Sequence, residues 1–292
     1  MSNASEQSAK LRVAIQGEKG CYHELAAHMF FEGRELEIVP CKTFQTEFDA
    51  FASDSQLVGM MAIENTIAGN ILTNHELLRK SQMQVVGEQR LHISHVLCAL
   101  PGQTIDDIVE VNSHPIALLQ CQVFLENSLP NAKIVEMDDT AGSAEYIMKH
   151  QLKGHAAICS EYAANMYGMA ILARGIETNK RNFTRFLVLQ DKYADLVTPE
   201  RSAINKASLE FCVRHQQGSL TKVLTILSFY DMNLTKIQSM PIIGREWEYR
   251  FFVDLTFADY MQYRKALDAI MPFATDFQIL GEYAEKPADN DQ

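Results

Sequence analysis

Residues 57–63 (LVGMMAI) are apolar from end to end. A strand with one wet face alternates polar and apolar residues. A run with no polar face predicts a strand covered on both sides, as in a parallel sheet sandwiched by helices. The flanking sequence repeats the theme. Residues 11–17, the segment near 37–39, and residues 93–100, 108–111, 133–137 and 156–159 read as further strands. Between them, apolar residues at helical spacing predict helices over 23–31, 43–52 (capped by Thr43), 115–127, 141–149 and 162–167. Alternating strands and helices predict a mostly parallel α/β architecture. The pattern then breaks. Residues 191–205 (DKYADLVTPERSAIN) are polar, contain Pro199 and read as a linker. Beyond them come a strand at 207–213, a helix carrying Leu220, Val223, Leu224 and Leu227, strands at 233–240 and 249–255, a helix carrying Tyr260, Arg264, Leu267 and Met271, and a strand at 277–280. That order, βαββαβ, is ferredoxin-like. Five segments follow: a tail at 1–9, an α/β domain at 10–190, the linker, a βαββαβ domain at 206–284 and a tail at 285–292.

Charge narrows the function. Lys and Arg total 26 against 37 Asp and Glu, a formal net charge of −11. Nucleic-acid binders need a basic footprint, so that class is disfavoured. No apolar run approaches the roughly 18 residues of a membrane span, and the polar start MSNASEQSAK lacks a secretion-signal core. The six cysteines are scattered with no CxxC pair, which predicts reduced thiols in a cytoplasmic protein and no metal site.

Several short segments have chemical content. Residues 17–20 (GEKG) join a strand to a helix and suit either an anion or a tight turn. Glu64, Asn65 and Thr66 follow the buried strand at its carboxyl end, where open α/β sheets hold ligands; a capped turn is the alternative. Ser113-His114-Pro115 opens a helix with Ser113 as N-cap, and Asp139-Thr140 opens another. Residues 182–186 (NFTRF) place a hydroxyl, Thr184, beside the planar fork of Arg185, which suits a carboxylate.

Taken in order, these segments resemble prephenate dehydratases. The resemblance runs from about residue 12 to 283. It is carried by residues 17–26 (GEKGCYHELA), 63–69 (IENTIAG), 113–121 (SHPIALLQC), 156–168 (AAICSEYAANMYG), 182–186 (NFTRF), 233–241 (NLTKIQSMP) and 248–254 (EYRFFVD). It implies a catalytic domain of two α/β lobes like a periplasmic binding protein, followed by an ACT regulatory domain. No chorismate mutase segment precedes residue 10, which implies the monofunctional form. Four positions depart from the pattern: Thr66 for a usual Ser, Ile116 for Gln, and Gln238 and Met240 for Glu and Arg in the regulatory domain.

The resemblance implies decarboxylative dehydration of prephenate to phenylpyruvate, in phenylalanine biosynthesis, with no cofactor. It places the essential hydroxyl at Thr184, with Arg185 on the arm carboxylate. Glu64 is then a candidate proton source beside Asn65, and Thr66, Gly20, Ser113, His114, Thr140 and Phe186 are candidate substrate contacts. It also implies feedback by L-phenylalanine at the ACT interface, through Gly218, Ser219 and Leu220 with Asn233, Leu234 and Thr235, and assembly into a homodimer or homotetramer through ACT domains. The rival readings are arogenate dehydratase and a non-catalytic metabolite sensor.

Overall fold

The computed structural model describes residues 10–286. Its chain divides into two units. One comprises the chain up to Ile71 together with Gln89–Phe186, and the other comprises Leu72–Glu88 together with the chain from Leu187 onward. The tail at 1–9 and residues 287–292 lie outside the described residues.

In the first unit, Val13, Ala14 and Ile15 are fully buried at the centre of strand Leu11–Gln16. This strand pairs in parallel with Leu36–Cys41 on one side and Val58–Asn65 on the other. Helices Tyr22–Phe30 and Phe44–Ser53 make the crossovers. The second is closed by a capping box, in which Thr43 and Thr46 exchange backbone-to-hydroxyl hydrogen bonds. The apolar run of the sequence is Val58–Asn65, whose first six residues are buried.

A second sheet is ordered Ala170–Arg174, Val96–Ala99, His155–Cys159, Glu110–Ser113, Lys133–Glu136. It departs from the parallel expectation. Val96–Ala99 runs antiparallel to both of its neighbours, while His155–Cys159, Glu110–Ser113 and Lys133–Glu136 pair in parallel. Helix Glu161–Met166 crosses from His155–Cys159 to Ala170–Arg174 and keeps those two parallel to each other. Val96–Ala99 has no helix before it, so no crossover sets its sense, and it inserts between them in the opposite direction. The helix expected over 115–127 is two, Pro115–Gln120 and Gln122–Ser128, meeting at Cys121. His114, not Ser113, is the first one's N-cap. Pro115 holds the residue before it in extended geometry, which moves the cap one position on.

In the second unit, strands Asn233–Pro241, Tyr249–Thr256, Lys206–Cys212 and Thr275–Tyr283 pair antiparallel in that order. Helices Ser219–Phe229 and Tyr260–Ile270 cover one face, and Leu209, Phe211, Val223, Leu227, Leu255, Tyr263 and Ile270 fill the core between them. The alternate residues Lys206, Ser208 and Glu210 face the other side and are also buried. Helix Leu72–Lys80, missed by the sequence reading, contributes cover there, with the His75 ring 4.8 Å from Phe252. The missed strand Met83–His92 pairs in parallel with Thr275–Tyr283 at Val85 and Gly281. A Cβ at position 281 would lie 2.6 Å from the Val85 Cβ, so only glycine allows that approach.

Candidate active site

A cavity of 320 Å³ opens in the first unit, within the range of small-molecule sites. It gathers the carboxyl ends of several strands, as α/β folds do. Gln16 and Asn65 close two strands of the first sheet, and His114 follows Glu110–Ser113 of the second. Asp138, Asp139 and Thr140 follow Lys133–Glu136. Tyr22, His23, Phe44, His95, Gln120, Thr184 and Phe186 complete the polar and aromatic lining. Among the described residues lining it there is no lysine or arginine.

Asn65 organises the site. Its Oδ1 accepts the backbone N–H groups of Ile67 (2.9 Å) and Ala68 (2.8 Å), which fixes the amide and makes Nδ2 the donor. That nitrogen donates to Asn182 Oδ1 at 2.8 Å and Thr184 Oγ1 at 2.9 Å. The Thr184 oxygen therefore accepts from Asn65, and the hydroxyl's own proton remains to be donated. His23 stacks edge-on against Phe186 at 5.0 Å, and burial pushes its imidazole down to about 3, so it stays neutral. Burial raises the Cys21 thiol, which leaves it protonated and inert.

Asn65, His114, Thr140, Thr184 and Phe186 come together as the sequence expects. Five other candidates do not line the cavity. Arg185 and Glu64 sit one residue along their strands from Thr184 and Asn65, hence on the opposite faces, and their side chains meet at 3.2 Å. Thr66 donates to Arg181 O (3.0 Å) and accepts from Phe183 N–H (2.9 Å), so it stitches two loops together. Ser113 is buried and donates to Ile158 O at 2.6 Å. Gly20 turns the chain at φ +90° and gives its N–H to Glu24. The sequence reading passed over Tyr22, His95 and Gln120. Their signal was a polar residue inside the apolar run at 93–100, for His95, and positions inside the quoted motifs for the other two.

In the second unit, Gly218, Ser219 and Leu220 line a 190 Å³ pocket with Arg214, Trp247 and Tyr249. Asn233, Leu234 and Thr235 do not line it. Asn233 and Thr235 bond along the neighbouring strand, to Thr256 Oγ1 and Asp254 O, and Leu234 packs on the core. Among the described residues no three His, Cys, Asp or Glu side chains gather as a metal site, and no helix is long and apolar enough to cross a membrane.

A family model described as prephenate dehydratase matches residues 13–194. Arogenate dehydratase 2 of Petunia hybrida is 36% identical over 97% of this chain and 74% of its own length. Among solved structures, the prephenate dehydratase of Arthrobacter aurescens in complex with L-Phe superposes with a TM-score of 0.83 at 26% identity, covering 95% of this chain and 92% of that one. A structure described as a novel type of quorum quenching acylase has the same TM-score at 30% identity, covering 94% and 98%.

Proposed function

The chain belongs to the prephenate dehydratase family, and we propose that it dehydrates and decarboxylates prephenate to phenylpyruvate in the cavity around Thr184. The enzyme is a dehydratase acting on prephenate or its amino-bearing relative arogenate; prephenate is our reading. The observation that carries it is the hydrogen bond from Asn65 to Thr184. It leaves the Thr184 proton aimed at an acceptor, here the departing ring hydroxyl. The C–O bond breaks, the hydroxyl leaves as water with an added proton, and the ring carboxylate leaves as uncharged CO2. Its C–C electrons complete the aromatic ring. Donation by Thr184 strengthens as charge grows on that oxygen, which favours the transition state over the bound substrate.

The arm carboxylate needs an anchor other than Arg185. Helix Tyr22–Phe30 begins at the cavity, and its N-cap Cys21 makes no side-chain cap bond, so its first-turn N–H groups can meet an anion. His114 and Thr140 stand nearby as polar contacts.

Arogenate is the second reading. Asp138 and Asp139 line a cavity with no lysine or arginine among the described residues, which suits an arm bearing an ammonium. An acylase is disfavoured, because Thr184 is paired with an amide rather than a base and Cys21 is held protonated. Turnover of purified protein with prephenate and with arogenate decides. A higher kcat/KM on prephenate upholds our reading and a higher one on arogenate replaces it; no product from either favours the sensor.

In this reading residues 10–190 are catalytic, 191–205 link, and 206–284 form an ACT-type regulatory domain that binds L-phenylalanine in the Gly218 pocket. Self-association through these domains, as a homodimer or homotetramer, would bring a second copy's Asn233–Thr235 region to that pocket. Strand Asn233–Pro241 ends its sheet with Ile237 exposed, an edge that can pair. Six buried free thiols suit a reducing cytoplasm.

A further inference from the structure

Dehydration consumes a proton, and Glu64, turned toward Arg185, does not line the cavity that would deliver it. A chain of side-chain amides leads to another source. Backbone N–H groups of Ile67 and Ala68 fix Asn65, whose Nδ2 donates to Asn182 Oδ1. This orients Asn182, whose Nδ2 donates to Gln120 Oε1 at 3.0 Å. Gln120 Oε1 is therefore the acceptor facing His95 Nε2 at 2.9 Å, and that nitrogen must carry a hydrogen. The second ring nitrogen, Nδ1, lies 2.9 Å from the Tyr22 hydroxyl, which also donates to Ser94 O at 2.8 Å. A hydroxyl has one proton. Both Tyr22 contacts and the Gln120 contact are satisfied together only when His95 carries hydrogens on both nitrogens. In the neutral ring the Tyr22 proton is divided between two acceptors.

We propose that Tyr22 and His95 are the proton source for the departing hydroxyl, Tyr22 as the catalytic donor and His95 as the group that resupplies it. This rests on the dehydratase reading above. The step balances. The Tyr22 O–H turns from Ser94 O to the leaving oxygen and gives up its proton, that oxygen departs as water, and the His95 Nδ1 proton passes to the Tyr22 oxygen. His95 ends as neutral imidazole with its Nε2–H still on Gln120, and solvent restores the lost proton.

The surroundings set the pH dependence. Burial favours neutral His95. Opposing it is the Glu177 carboxylate, which accepts the His95 backbone N–H at 2.8 Å and is itself paired with Lys180. Tyr22 and Gln120 are the other faces. An anionic substrate, in a lining without Lys or Arg, adds negative charge and favours the protonated ring when it binds.

The test uses the full chain, with Tyr22→Phe and His95→Gln assayed on prephenate and arogenate across pH. We expect kcat to fall by about 10²-fold or more in each with KM within about threefold. The wild-type loss of kcat at high pH disappears in His95→Gln, and ¹⁵N NMR of the free protein shows hydrogen on His95 Nε2. Tyr22→Phe within threefold of wild-type kcat, a high-pH limb that persists in His95→Gln, or a bare Nε2 overturns the proposal. If His95→Gln does not fold, Tyr22→Phe, which loses one oxygen, decides. Wild-type protein inactive on both substrates removes the dehydratase reading and this step with it; an active wild type with an unaffected Tyr22→Phe removes this step alone.

Discussion

Arg185 pairs with Glu64 at 3.2 Å, one residue along each strand from the Asn65–Thr184 hydrogen bond. Two adjacent strands thus carry two different pairings on their two faces. One is an ion pair that helps hold the strands, and the other is a neutral donor–acceptor pair that lines the cavity. The alternation of a β-strand, not the contiguity of a motif, separates structure from chemistry here.

In the proposed reaction, removing the Thr184 hydroxyl removes one hydrogen-bond donor to the leaving oxygen. Thr184→Ala is expected to lower kcat by about 10²–10³-fold with little change in KM, the pattern of a contact made in the transition state. Thr184→Ser, which keeps the hydroxyl, is expected to retain most activity. Steady-state kinetics of the two variants check this; equal losses in both would move the role to the methyl group.

Arg185→Met is expected to act on stability before binding. Its side chain is 7% exposed and Glu64 is about one-third exposed (32%), so the variant leaves a half-buried carboxylate short of its guanidinium. Breaking a fully buried pair costs roughly 3–5 kcal/mol, and partial exposure of Glu64 brings this to about 1–3 kcal/mol. Denaturant titration reads the loss. A large rise in KM with unchanged stability would return Arg185 to the substrate.

Much of this was legible beforehand. The apolar run at 57–63 fixed the buried parallel strand, and NFTRF marked Thr184 at the cavity. What escaped depends on distant partners. Strand Met83–His92 contains Gly87, Glu88 and Gln89, all buried, which breaks the apolar signal; Glu88 is tolerable there because Lys206 reaches it at 3.0 Å from 118 positions away. His95, inside the apolar run at 93–100 and just before strand Val96–Ala99, reads locally as a core histidine. Only the folded chain brings Tyr22 and Gln120 to its two nitrogens.

Gly281→Ala is expected to loosen the pairing of Met83–His92 with Thr275–Tyr283. The added methyl would run into the Val85 carbonyl group, 2.7 Å from its carbon, and backbone cannot yield as a flexible side chain does. Overpacking of this kind costs typically about 1–3 kcal/mol. Thermal denaturation checks it, and hydrogen exchange should accelerate first at Val85 and its neighbours. Unchanged stability would mean that the two strands can part at no cost.

Gly218 holds φ +76° at the start of helix Ser219–Phe229, with open space where a Cβ would stand. Substitution therefore acts through the backbone rather than by crowding. Gly218→Val forces a β-branched residue into the left-handed region and should reshape the pocket lined by Ser219, Leu220 and Trp247. In substrate titrations the native protein should lose affinity about 5-fold or more with phenylalanine, the low end of typical coupling, and Gly218→Val should lose much of that response. A native-like response in the variant would place the effector elsewhere.

Glu47 gives a prediction about pH. Its carboxyl is fully buried on helix Phe44–Ser53, neither oxygen has a hydrogen-bond partner among the described residues, and burial raises its pKa well above the usual carboxylate range. In the unfolded chain the same group ionises near 4.5. The folded state therefore holds a proton that the unfolded state releases. Stability falls as pH rises above the unfolded value, by about 1.4 kcal/mol per unit from this group, until the folded group itself ionises. Glu47→Gln keeps the shape and removes the titration, although its amide brings polar atoms of its own to satisfy. Near pH 4 the two proteins should differ by little more than that amide cost. As pH rises from 4 the variant should gain steadily on the wild type. Urea midpoints for both proteins across pH 4–8 measure the difference, and parallel curves would mean that Glu47 finds a partner for its charge when it ionises.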